Sequence, residues 1–185
     1  MVTTAPEIVP ARRPAISAAE AHVRASRLRL VITDCDGVLT DGGVYYSESG
    51  EALRRFSVRD GMGVERLRRA GVKTVIVTRE RSDFAARRAE KLGLPHLFAG
   101  VQDKGTMLPT VLEKTHCGVE DVAFIGDDVN DLELLEIVGR TGLTGAPADA
   151  MSEVAAAVHY RCERSGGAGA FREFAEWILA LRKDR

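Results

Sequence analysis

Two tight groups of carboxylates stand out in the chain: Asp34-Cys-Asp36, and Gly126-Asp127-Asp128 with Asp131 three residues further on. Each group directly follows a short apolar run, LRLVIT and VAFI. In an open α/β sheet, ligands collect at the carboxyl ends of the strands, so both groups sit where chemistry is expected. Two acidic strand ends facing one crevice would repel strongly unless a cation lay between them. The candidate ligands are oxygens, which suits Mg²⁺, an ion that keeps waters and shares its shell with substrate phosphate. Thr78, after the run KTVIV, offers a hydroxyl beside helix N-terminal amides where a phosphate can rest. Lys104, at the start of a later helical pattern, adds a fixed positive charge.

The elements that must position these groups follow from hydrophobic periodicity. Strands are expected at LRLVITD (28–34), KTVIVT (73–78), LPHLFAG (94–100), VAFIGDD (122–128) and GLTGAP (142–147), each followed by a helix-like segment. Continuous apolar runs alternating with amphipathic helices imply βαβ crossovers in a doubly wound parallel sheet. Ser17-Ala-Ala-Glu20 has the S-x-x-E capping form and predicts a helix over about 18–27, after a tail at 1–16 rich in Pro and small residues. Residues 41–58 break the rhythm. VYYS and ALRRFSV flank the turn Glu48-Ser-Gly-Glu51, which predicts a β-hairpin flap projecting after the first strand. The glycine cluster Ser165-Gly-Gly-Ala-Gly169 reads as a loop closing near a ligand, and Phe171, Phe174, Ile178 and Leu181 place a final helix on the body.

Composition narrows the function classes. The 185 residues are 45% hydrophobic and 29% charged, enough to bury a single core over 17–185 and too apolar for disorder. A net charge of −1 gives no global field for nucleic acid or anionic membrane, so neither is expected as a partner. Cys35, Cys117 and Cys162 are odd in number without C-x-x-C spacing, and the four histidines are scattered, which argues against a disulfide framework or a zinc site. With no apolar run of roughly 18 residues and no secretory leader, a reducing cytoplasm is the expected location.

Asp34, Asp36, Thr78, Lys104 and Asp127, in that order on successive strand ends, resemble the four-motif pattern of the haloacid dehalogenase superfamily over about 28–180. The resemblance implies a HAD-like α/β fold and a Mg²⁺-dependent phosphomonoesterase. Asp34 would be the nucleophile that forms an aspartyl-phosphate, and Asp36 the general acid and then base. Thr78 and Lys104 would neutralise phosphoryl oxygens. Asp34, the Asp36 carbonyl and Asp127 would hold the metal, with Asp128 or Asp131 supporting it.

Only 44 residues separate Asp34 from Thr78, and 23 separate Lys104 from Asp127, which leaves no room for the cap domain of larger family members. This outline resembles the cap-less, tetrameric branch acting on 2-keto-3-deoxy sugar acid phosphates, so a homotetramer with sites completed by a neighbouring subunit is expected. Asp36-Gly-Val-Leu-Thr-Asp-Gly42, Phe56-Ser-Val-Arg-Asp-Gly61, Asp103-Lys104 and Ile125-Gly-Asp-Asp-Val-Asn-Asp131 resemble the phosphatases for 3-deoxy-manno-octulosonate 8-phosphate. Motif two departs from them: Thr78-Arg79-Glu80, with Arg88 and Lys91 following, looks more like the phosphatases for the nine-carbon Kdn or N-acylneuraminate 9-phosphate, which is the favoured substrate on this reading. The substrate-binding candidates are therefore Asp36, Ser57, Val58, Arg59, Asp60, Gly61, Arg79, Glu80, Arg88, Lys91, Lys104, Asn130 and Arg172. The arginines serve the substrate's carboxylate or are simply solvated, and Glu80 with Lys91 forms either a sugar contact or a surface ion pair. The carboxyl-terminal segment also resembles the phosphatase-like domain of animal acylneuraminate cytidylyltransferases, so the alternative is a non-catalytic or regulatory partner of such an enzyme. A phosphomutase fits less well without a cap.

Overall fold

Four strands buried at every residue, β1 (Leu30–Thr33), β6 (Val122–Ile125), β7 (Leu143–Ala146) and all of β4 (Lys73–Thr78) except its first residue, make the centre of the sheet. In this computed structural model, which describes residues 16–183, β5 (Leu97–Ala99) and β8 (Tyr160–Arg161) complete it in the order β5-β4-β1-β6-β7-β8, parallel throughout. Most of the predicted tail lies outside the described residues.

Strand parity sorts the core into two layers. Val31, Ile76, Ala123 and Ile125 face α1 (Ala18–Arg27), α2 (Val58–Arg69), α3 (Asp83–Lys91) and α7 (Ala170–Lys183). Leu30, Ile32, Val75, Val77 and Phe124 face α4 (Lys104–Thr115), α5 (Leu132–Gly139) and α6 (Ser152–Ala157). A sheet covered on both faces explains why its strands read as continuous apolar runs rather than alternating ones. The chain moves from β1 outward to β4 and β5, then returns to β6 on the other side of β1. The β1/β6 boundary is thus the topological switch point, where an open sheet leaves a crevice at its carboxyl edge.

Local signals hold in part. Ser17 caps α1, its Oγ accepting the Glu20 N–H at 3.1 Å, while the Glu20 carboxylate turns to Arg24. The hairpin forms between β2 (Tyr45–Ser47) and β3 (Gly50–Leu53) as a separate two-stranded antiparallel sheet. Its second strand is shorter than ALRRFSV predicts. Phe56 makes only an isolated bridge to Thr40, and Ser57 is the N-cap of α2, its Oγ accepting the Arg59 N–H at 3.1 Å. Capping here outweighs strand propensity, because Ser57 satisfies a helix amide that the strand would leave unpaired. Between Asp34 and Thr78 the chain holds only this hairpin and α2, and between Lys104 and Asp127 only α4, a 3₁₀ turn (Val119–Asp121) and β6, so no cap domain is present.

Candidate active site

Asp34 follows β1 and continues its pairing, its N–H donating to Ile125 O at 3.0 Å, so the side chain lies at the switch point. Lys104, the first residue of α4, is almost fully buried, and its Nζ stands 2.9 Å from Asp34 Oδ1 and 2.5 Å from Asp131 Oδ1. Asp131 is completely buried. Its second oxygen accepts the backbone N–H groups of Asp127 at 2.9 Å and Asp128 at 3.3 Å, folding the loop after β6 around one carboxylate.

Asp127 is placed by a glycine. Gly37 has φ +85°, and a Cβ there would stand 2.0 Å from Asp127 Oδ2, so the motif-one loop and the Asp127 carboxylate can approach only without a side chain between them. Oxygens of Asp34, Asp127 and Asp131 lie within 4.8 Å of one another. Burial pushes the Asp34 carboxyl up to about 7 despite Lys104, with Asp131 adding to the rise. Burial, then Asp34 and Asp131, push Asp127 to about 8. Burial alone would lower Lys104, but its two carboxylates outweigh that and hold it raised and charged.

Asp127 Oδ1 is buried with no hydrogen-bond partner. An orphaned carboxylate oxygen, beside a second acid that desolvation also drives toward neutrality, suits a site that takes a cation. The donors are all oxygens, so the residues fit Mg²⁺. Asp34 and Asp127 could ligate it, while Asp131 accepts hydrogen bonds from Lys104 Nζ and the Asp127 N–H. Asp128, one of the expected ligands, is exposed and uses Oδ1 to accept the Val129 N–H at 2.7 Å, starting the turn Val129–Asp131.

The cleft over these groups has a volume of about 240 Å³ and is lined by Asp34, Asp36, Thr78, Arg79, Glu80, Asp127, Asp128, Val129 and Asn130. Thr78 ends β4 and is buried, its Oγ1 accepting the Glu80 N–H at 3.3 Å, while Arg79 and Glu80 stand exposed at the rim. A larger cavity, about 360 Å³, is mostly apolar and lies near Lys73 and Thr74, at the opposite end of β4 from the acids.

The other substrate-binding candidates do not line the cleft. Val58 and Arg59 are exposed on the first turn of α2, and Lys91 is exposed at the end of α3. Asp60 is buried and accepts the Arg172 N–H at 2.9 Å, tying α2 to the start of α7. Arg172 Nε donates to Glu176 at 2.7 Å. Arg88 packs against Gly61 and 5.3 Å over the Phe56 ring, and donates to Ser57 O at 2.6 Å. The glycine loop does not face the cleft either. Gly167 N–H donates to Val38 O at 3.0 Å, and a Cβ on Gly166 would meet Gly37 O at 1.9 Å, so the loop braces motif one from behind.

Two site residues were not singled out from the sequence. Arg54 reaches Asp36 from the foot of the hairpin, and Thr40 Oγ1 accepts the N–H groups of Gly37 at 3.3 Å and Gly42 at 3.2 Å. Thr40 lies inside the quoted motif and its turn spacing was a usable signal. Nothing in the local sequence distinguishes Arg54 from Arg55.

A parallel α/β sheet whose switch point gathers Asp34, Asp127 and Asp131 around the buried Lys104 has the charge arrangement that suits a cation and a phosphoryl group. The haloacid dehalogenase-like hydrolase family matches residues 52–139. The 3-deoxy-D-manno-octulosonate 8-phosphate phosphatase KdsC of Yersinia pestis is 38% identical over 162 residues, 88% of this chain and 84% of that protein. The structure of the Moraxella catarrhalis phosphatase of that name, in complex with magnesium ion, phosphate ion and KDO, superposes with a TM-score of 0.82 at 32% identity, covering 89% of this chain and 93% of the other. The cobalt-bound form of the Haemophilus influenzae enzyme gives 0.81 at 36% identity, covering 86% and 91%. The chain belongs to the haloacid dehalogenase-like hydrolases and is a phosphatase.

Proposed function

We propose that the chain is a Mg²⁺-dependent phosphomonoesterase for a 2-keto-3-deoxy sugar acid phosphate. The observation that carries this reading is the Asp34–Lys104–Asp131 cluster beside the unpartnered Asp127 oxygen. Asp34 attacks phosphorus, the bond from phosphorus to the sugar oxygen breaks, and Asp36 gives that oxygen a proton. Asp36 then takes a proton from water as the water displaces Asp34, releasing inorganic phosphate. Thr78 and Lys104 stabilise charge on the transferring group from fixed, desolvated positions. Asp34 and Asp127 would hold Mg²⁺, which would supply further neutralisation of negative charge at the site.

The relatives are named for the eight-carbon ester, which makes 3-deoxy-manno-octulosonate 8-phosphate the leading substrate. The nine-carbon esters remain a second reading because Arg79 and Glu80, the residues of motif two that depart from the eight-carbon pattern, stand on the cleft rim. Comparison of kcat/KM on the octulosonate 8-phosphate, Kdn 9-phosphate and N-acetylneuraminate 9-phosphate tests both, with Asp34→Asn expected to lower turnover by at least about 10³-fold on the best of them. Equal low rates on all three would remove the sugar-acid assignment.

The cleft, about 240 Å³, lies below the roughly 300 Å³ at which ligand pockets usually begin and is open to solvent on one side. The hairpin beside it exposes Tyr45, Tyr46 and Leu53 without pairing to the main sheet, a state that two strands alone hold only marginally. Both features support a homotetramer in which a neighbour's surface completes the site. Among the described residues no helix is long and apolar enough to cross a membrane. Cys35, Cys117 and Cys162 are free thiols, as a reducing cytoplasm would keep them.

A further inference from the structure

Arg54 is the first residue after β3, and although the hairpin around it is exposed, its side chain is only 4% accessible. The guanidinium bridges two carboxylates. Nη1 pairs closely with Asp36 Oδ1, and Nη2 donates to Glu51 Oε1 and Oε2 at 3.2 and 3.1 Å. Thr40 Oγ1 adds a long contact of 3.5 Å to the same Asp36 oxygen. Asp36 Oδ2 accepts no hydrogen bond among the described residues, while Asp36 itself lines the cleft.

This arrangement divides the work of the two oxygens. A general acid must present one oxygen to the leaving group, and a carboxylate on a free side chain rotates about its last torsion over a broad range. Pinning Oδ1 from the side removes that freedom and leaves Oδ2 to carry the proton. An exposed Lys would not do this, because a point charge does not fix a plane; a desolvated guanidinium held by a second acid does. If Arg54 served only to anchor the hairpin, the ion pair to Glu51 within the hairpin would suffice, and no reach to Asp36 would be required.

We propose that Arg54 is a positioning residue for Asp36, holding its carboxyl plane so that proton transfer to the departing sugar oxygen is aligned, and thereby linking the hairpin's place to the chemical step. The proposal rests on the reading of Asp36 as general acid.

The test uses two esters. A sugar alkoxide needs a proton to leave, whereas p-nitrophenolate departs without one. The quantity kcat/KM reports only steps through the first irreversible one, here transfer to Asp34, so it excludes the later role of Asp36 as base. Arg54→Gln is expected to lower kcat/KM on octulosonate 8-phosphate by about 10²-fold and on p-nitrophenyl phosphate by less than about threefold. Arg54→Lys, which keeps the charge but not the planar fork, should recover less than about threefold of the loss on the sugar ester. Equal losses on the two esters, or no loss on either, would overturn the proposal. Should Arg54→Gln not fold, Arg54→Lys against wild type decides, an unchanged ratio of the two esters overturning it. Asp36→Asn separates the two levels. Absence of ester selectivity there removes the general-acid reading, whereas selectivity there without selectivity in Arg54→Gln removes the positioning role alone.

Discussion

Lys104 Nζ stands 2.5 Å from Asp131 Oδ1, both side chains buried, with Asp34 Oδ1 on the cleft wall 2.9 Å away. One cation from α4 thus serves two acids from different strand ends, and removing it would leave both without compensation. Lys104→Met, similar in volume, is expected to destabilise the metal-free protein by about 3–5 kcal/mol in urea unfolding and to abolish measurable turnover. A variant of wild-type stability would show that the lysine is not needed to balance these charges.

The contact between Gly37 and Asp127 makes a separate prediction about the metal. Gly37→Ala adds a methyl that cannot coexist with the present Asp127 carboxylate. Its circular dichroism should remain that of a folded α/β protein, while the Mg²⁺ concentration for half-maximal activity rises at least about tenfold. An unchanged Mg²⁺ titration would mean that Asp127 does not bind the ion from this position.

Acidity predicts how metal and stability are linked. In the metal-free protein Asp34 titrates at about 7 and Asp127 at about 8, against an ordinary 3.8, so across that window the folded state keeps protons that the unfolded chain has lost. Metal-free stability therefore falls as pH rises from about 4 to 8. Added Mg²⁺ should raise Tm more at pH 8 than at pH 6, measured against EDTA controls. A Mg²⁺ effect independent of pH would contradict the assignment of these carboxyls as ligands.

The hairpin gives a prediction about assembly. Light scattering is expected to show four times the chain mass of 20.1 kDa, and Tyr46→Glu to shift the population toward monomer with reduced kcat/KM on the sugar ester. A wild-type monomer with full activity would defeat the tetramer.

The parallel core and the identity of the acids were legible because both are local. LVIT and VAFI are buried on both faces and read as strands without reference to partners, and a carboxylate just beyond such a run must lie at the sheet edge. The end of the hairpin's second strand was less legible. Extended propensity in ALRRFSV competed with a helix cap at Ser57, and the tertiary fold chose the cap.

By itself, then, the sequence determined the fold class and put Asp34, Thr78 and the second acidic group at the carboxyl edge of the sheet, since each follows from residue type at a set distance from an apolar run. Tertiary structure alone decided between Asp128 and Asp131 as the acid inside the cluster. The two lie three residues apart, and only the turn after β6 buries one against Lys104 while leaving the other in solvent. It also chose Arg54 over Arg55 as the partner of Asp36. Adjacent residues leaving a strand point to opposite sides, so Arg55 pairs with Asp41 outside and Arg54 turns to the cleft.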